Sequence, residues 1–80
     1  MIPIFNEIRR EVAIAQSKYH PFHSNHEGYA VLKEEVDELW DDIKASKDIV
    51  ADESMRKECI QIAAMAVRFI LDLYKPLSHP

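Results

Sequence analysis

Apolar residues recur at three- and four-residue intervals in three stretches of this chain, and each stretch predicts a helix. In the first, Ile4, Phe5, Ile8, Val12 and Ala15 share one face, with Glu7, Arg9, Arg10 and Lys18 elsewhere, so a helix is expected from about Ile4 to Lys18. Pro3 suits a first helical turn, where its missing N–H does no harm, and Pro21 stops the helix by biasing His20 away from α geometry. The second helix is expected to begin near Ser24 or Asn25. With Ser24 as N-cap, Glu27 falls at the third helical position and completes a capping box. It runs to about Ala45 with Tyr29, Leu32, Val36, Leu39, Trp40 and Ile43 as its apolar stripe. The third is expected from about Asp52 to Tyr74, capped by Asp48 or Asp52 and ended by Pro76. Its broad apolar face carries Ile62, Ala63, Ala66, Phe69, Ile70 and Leu73, and the small Ala63, Ala64 and Ala66 admit a second helix at close range. Between helices, Tyr19–Ser24 reads as a loop whose Tyr19 and Phe22 are satellite core contacts, and Ser46–Ser54 as a polar, mobile connection.

The expected fold is therefore all-α, a short bundle of about three helices per protomer in a single domain spanning residues 1–80. A chain of 80 residues buries a small core alone, which makes a homodimer or higher homo-oligomer the expected state. A single glycine argues against a sheet with many tight turns and against a Gly-rich phosphate loop. A net charge of −4 removes the global basic field that a nucleic-acid polymer would need. Cys59 has no cysteine partner for a disulfide or a zinc pair, and its place among apolar positions predicts a buried, inert thiol. No apolar run is long enough for a bilayer, and Met1–Phe5 is too short and too soon charged for a signal peptide, so a cytoplasmic protein is expected. Trp40 is expected in the core or a dimer interface, and Met55 and Met65 in packing roles.

The chemistry lies in the acidic residues of the second and third helices. Glu35 and Glu38 are three apart on one face, beside the apolar stripe of Leu32, Val36 and Leu39. Carboxylates placed there are partly desolvated and repel, and a hard cation relieves the repulsion. On the third helix, Glu58, Gln61, Arg68 and Asp72 form a polar seam on an otherwise apolar element. Antiparallel pairing would bring Glu35 and Glu38 opposite Glu58 and Gln61, and carboxylates from facing helices are a recurrent way to build a metal site. All-oxygen ligands favour Mg²⁺ or Mn²⁺ over zinc. The blander reading is a solvated acidic face, and Glu34, Asp37, Asp41 and Asp42 suit it. Arg68 and Asp72, four apart, suit an intrahelical ion pair. His20, His23 and His26 follow at intervals of three, but Pro21 breaks any helix that would align them. The favoured reading is hydrogen-bonding or solvent-exposed histidines, with His23 or His26 near a substrate mouth as the functional version.

The run Glu34-Glu35-Val36-Asp37-Glu38, flanked by Leu32 and Leu39, resembles the EExxE signature of the MazG-like all-α nucleotide pyrophosphohydrolases. Glu58-Cys59-Ile60-Gln61 stands in place of that family's second motif, ExxD, and His26-Glu27-Gly28-Tyr29 also resembles a phage or prokaryotic subgroup. The resemblance covers roughly Ile4 to Leu73. It implies hydrolysis of a nucleoside triphosphate between the α and β phosphates, giving a monophosphate and pyrophosphate. It implies Glu35, Glu38 and Glu58 as Mg²⁺ ligands (Mn²⁺ as a substitute), with Gln61 in the fourth ligand position. Glu34 would orient or deprotonate the attacking water, so Glu34, Glu35 and Glu38 are the catalytic candidates. Lys33, Arg68 and Arg9 are the candidates for meeting the substrate phosphates, with Lys18 beside them. Gln61 contributes less attraction to a cation than the family's Asp. The family commonly carries a further helix, and dimerisation of three-helix protomers would supply that packing.

Two other classes of function fit the same residues. One is a nucleotide- or metal-binding relative with weakened turnover, suggested by Gln61. The other is a purely structural helical dimerisation module.

Overall fold

The computed structural model describes residues 2–45 and 49–74. Three helices form: α1 (Ile2–Lys18), α2 (Asn25–Ala45) and α3 (Ile49–Leu73). No strand occurs among the described residues. The helical boundaries follow the local chemistry. Tyr19 N–H closes the last turn of α1 onto the Ala15 carbonyl at 2.9 Å, and Pro21 lies just beyond. At the start of α2, Ser24 Oγ accepts the Glu27 N–H at 3.1 Å, the cap that the sequence predicts. The Glu27 carboxylate reaches back to the N–H of His23, at 2.5 Å, one residue earlier than in the usual reciprocal box.

The third helix starts three residues before the expected start near Asp52. It begins at Ile49, so Asp52 sits inside the first turn and Ser54 well within the helix. The expected polar connection Ser46–Ser54 is thereby corrected, because its second half is helical; Asp48 lies outside the described residues. Ser54 Oγ donates to Asp42 Oδ2 at 2.7 Å, fastening the start of α3 to the end of α2.

α3 is the central element. Among the described residues, both α1 and α2 pack against it, and they do not pack against each other. This layout leaves a groove between α1 and α2, floored by α3. The core holds Val12 and Ala15 of α1, Phe22 of the loop, and Ala64 and Met65 of α3, with Ile8, Val31, Leu32, Phe69 and Leu73 packed around it. Ala64 has no accessible surface, and its small side chain suits close helix packing there. Gly28 plays the matching part in α2: a Cβ there would stand 2.5 Å from Phe69 Cδ2, so only glycine lets the Phe69 ring lie against the helix. A bidentate pair, Arg56 to Glu7 at 2.8 and 2.6 Å, ties α3 to α1 at the surface.

Several predicted core positions face outward. Ile4 and Phe5 are exposed, since α1 meets α3 through Ile8, Val12 and Ala15. On α2, Leu32 and Leu39 are half-buried, while Tyr29, Val36, Trp40 and Ile43 are exposed. Trp40 is 55% exposed, with Lys44 Nζ 5.6 Å from its ring centroid, so a core role for it is corrected. Tyr19 is exposed, whereas Phe22 belongs to the core. Cys59 is exposed, not buried, because α1 and α2 cover other faces of α3. Among the described residues, no helix is long and apolar enough to cross a membrane.

Candidate functional site

Glu35 on α2 faces Glu58 on α3, and Glu38 joins them one turn further along α2. One carboxylate oxygen from each of the three lies within 4.8 Å of the others. The spacing of three on α2 places two of these groups on one face, and the α2–α3 packing supplies the third. Glu35 and Glu58 are partly buried and Glu38 is exposed. Partial burial of Glu35, together with the charges of Glu38 and Glu58 and hydrogen bonds that need its proton, pushes its carboxyl up to about 7. Near neutral pH Glu35 is therefore poised between its protonated and ionised forms, and a divalent cation would favour the ionised one. The donor set, three carboxylates and no nitrogen or sulfur, fits a hard ion such as Mg²⁺.

Glu35 also lines the groove between α1 and α2, a cavity of about 510 Å³, within the usual range for small-molecule pockets. Its floor and walls have two characters. At one end, Glu34, Glu35, Glu11 and Gln61 converge. Gln61 Nε2 donates to Glu11 Oε1 at 2.6 Å, which fixes the amide between α3 and α1. At the other end stand Lys18, Tyr19, His20, Phe22 and Glu27, over Arg68. Gln61 and Arg68, seven residues apart, are separated by about 10 Å along α3.

Arg68 is almost fully buried, 3% exposed. Its guanidinium lies over the Phe22 ring at 4.1 Å and donates to the His20 carbonyl at 2.9 Å. Its Nε stands 3.6 Å from Asp72 Oδ2 and has no hydrogen-bond partner. Asp72 in turn accepts the Phe22 N–H at 2.9 Å. The predicted intrahelical pair is present, and its main occupation is to anchor the loop of residues 19–24 onto α3.

The predicted site residues thus divide. Glu35, Glu38 and Glu58 come together, and Glu34, Gln61 and Arg68 share the adjoining cavity. Lys33 does not join them: it is exposed and pairs with Asp37 at 2.9 Å. Arg9 is exposed and outside the cavity. Lys18 is the basic residue of α1 that the cavity does include. Sequence reasoning missed Glu11, whose only signal is a carboxylate one residue before the buried Val12. It also missed Glu27 beside His20 and His23, since its capping role accounted for it fully. No protein-family model, no curated protein and no solved structure matches the chain.

Proposed function

We propose that the chain is a Mg²⁺-dependent nucleoside triphosphate pyrophosphohydrolase of the MazG-like type, releasing a nucleoside monophosphate and pyrophosphate. The observation that carries this reading is the convergence of Glu35, Glu38 and Glu58 from two helices, with Glu35 raised to about 7, at the edge of a nucleotide-sized cavity. Glu35, Glu38 and Glu58 would hold the ion, with the Gln61 amide oxygen as a neutral neighbour. Held there, Mg²⁺ would supply neutralisation of phosphate charge and Lewis-acid activation of water. The chain's own groups do the rest. At the aromatic end the exposed Tyr19 ring offers a face for a base, and Lys18 offers a cation for phosphate oxygens. Glu34 is exposed on the cavity wall next to Glu35 and is the group that takes the proton as water attacks the α-phosphorus and the α–β anhydride bond breaks.

A homodimer belongs to the same reading. The accessible surface is 6143 Å², against about 5,000 Å² for a compact monomer of this mass. Tyr29, Val36, Trp40 and Ile43 are exposed and form an outward apolar stripe along α2, a face that a second copy could cover.

The deciding experiment measures pyrophosphate release from a panel of ribo- and deoxyribonucleoside triphosphates with Mg²⁺ or Mn²⁺, beside a Glu35→Gln plus Glu38→Gln double variant. Metal-dependent release that disappears in the double variant supports the assignment; a double variant as active as the parent refutes it. The hydrogen bond from Gln61 Nε2 to Glu11 favours one second reading, a binding protein with weakened turnover, because it commits this side chain to tying α1 to α3. Under that reading nucleotide with Mg²⁺ raises the melting temperature and no product forms.

A further inference from the structure

The loop between α1 and α2 brings two imidazoles and a carboxylate together at the other end of the cavity. One ligand atom from each of His20, His23 and Glu27 lies within 4.8 Å of the others. The sequence spacing suggests His26 as the third member; the structure supplies Glu27 in its place, because α2 begins at Asn25 and turns Glu27 back over the loop. We propose that His20, His23 and Glu27 bind a divalent ion of the Zn²⁺ class, separate from the carboxylate trio.

Four observations support this site. First, His20 Nδ1 lies 2.7 Å from the Pro21 carbonyl oxygen. A carbonyl only accepts, so Nδ1 carries the proton and Nε2 presents its lone pair, the second-shell arrangement that orients a ligating histidine. Second, His20 Nε2 and Glu27 Oε2 are 3.8 Å apart. Two ligands on a tetrahedral zinc stand about 3.4 Å apart, so a shift of a few tenths of an ångström suffices. Third, Glu27 uses Oε1 for the His23 N–H and so leaves Oε2 for an ion. Fourth, the backbone between the two histidines is pinned at both ends from α3: Arg68 holds the His20 carbonyl and Asp72 holds the Phe22 N–H. The two histidines therefore stand on a fixed loop and Glu27 on the first turn of α2, and little backbone ordering remains for the ion to impose.

The two rings are stacked, with centroids 4.3 Å apart and planes 9° from parallel. Parallel rings cannot both aim lone pairs at one point, so binding turns one ring about its Cβ–Cγ bond. Both histidines are exposed, so the rotation breaks the ring stack without moving a core residue. Two nitrogen donors and one carboxylate select Zn²⁺ and its neighbours over Mg²⁺, the reverse of the selection at Glu35. Three protein ligands leave a coordination position for water or for a donor atom of a molecule in the cavity, which His20 and Glu27 line.

The test is a Zn²⁺ titration by calorimetry, with Co²⁺ absorption as a second readout, on the Glu35→Gln plus Glu38→Gln protein so that the carboxylate trio does not compete. One ion per chain is expected, with four-coordinate Co²⁺ bands. Affinity is expected to fall about tenfold or more in His20→Ala, in His23→Ala and in Glu27→Gln, the last of which keeps the cap because Gln also accepts the loop N–H. Circular dichroism confirms that each variant is folded. Absence of saturable binding overturns the proposal, as does a titration unchanged in His23→Ala. Zn²⁺ binding by the parent that vanishes in the Glu35/Glu38 variant with both histidines intact also overturns it. None of these readouts involves turnover, so failure of the pyrophosphohydrolase reading would leave this one standing, and the reverse.

Discussion

Replacing Glu35 by Gln should stabilise this protein at alkaline pH. The folded Glu35 carboxyl titrates at about 7, against 4.5 for the free side chain. The native state therefore keeps its proton at pH values where the unfolded chain has lost it. Stability is fully retained below about 4.5, falls as pH rises toward about 7, and is level beyond. A shift of this size corresponds to at most about 3 kcal/mol at 1.36 kcal/mol per unit. Glu35 is only partly buried, so solvent screening reduces the expected loss to about 1–2 kcal/mol. Gln has nearly the same shape and never ionises. Denaturant unfolding, followed by circular dichroism at fixed protein concentration from pH 4.5 to 8.5, should show parent and Glu35→Gln equal at the acid end. At pH 8 the variant should be more stable by about 1–2 kcal/mol, or roughly 5–15 °C in Tm for a domain this small. Adding Mg²⁺ at pH 8 should close that gap by stabilising the parent alone. A variant destabilised equally at both pH values would refute the reasoning, because it would mean that Glu35 acts through its contacts and not through its charge.

Three further outcomes follow from the packing. Asp72→Ala should cost about 3–5 kcal/mol in denaturant unfolding, since it strands the buried Arg68 charge and the Phe22 N–H together, while Asp72→Asn, which still accepts that N–H, should cost less. Gln61→Asp should lower metal-free stability by about 1–3 kcal/mol, because it exchanges a charge-assisted hydrogen bond to Glu11 for like-charge repulsion, and should tighten Mg²⁺ binding measured by calorimetry; unchanged affinity would remove Gln61 from the ion's surroundings. Val36→Glu combined with Trp40→Glu should leave helical content intact and shift sedimentation velocity from dimer to monomer, whereas a parent that already sediments as a monomer would refute self-association through α2.

The helices were legible because caps and breakers act locally. Ser24 and Pro21 mark their boundaries through bonds within one turn, and both stand where the sequence places them. The start of α3 was not legible: Asp48 and Asp52 are both good caps, and nothing local chooses between a helix entering at Ile49 and one entering later. Facing was legible only in part. The stripe on α2 spans Tyr29 to Ile43, but a single neighbour, α3, covers Leu32 and Leu39 and leaves Tyr29, Val36, Trp40 and Ile43 outside. Periodicity counts apolar residues on a helix; it does not count the helices available to cover them. Cys59 is exposed for the same reason.

The candidate site shows the same division between local and long-range information. Glu35 and Glu38 share a face because they share a helix, and that much is arithmetic on 3.6 residues per turn. Glu58 joins them through the register of α2 against α3. That register is held by Gly28, which seats the Phe69 ring, at one end, and by Ser54 on Asp42 at the other. Glu11, in contrast, meets Gln61 across 50 residues, and no spacing rule connects them. Their bond gives the amide at position 61 a physical role that an ionised carboxylate could not fill: it donates a hydrogen bond to Glu11 where a carboxylate would repel it. A fourth carboxylate at that position would attract a cation more strongly, but it would add to the repulsion that has already raised Glu35. Gln61 is then a compromise between holding the ion and holding the bundle, and the opposite signs expected for Gln61→Asp, weaker without metal and tighter with it, are what distinguish this account from simple loss of a ligand.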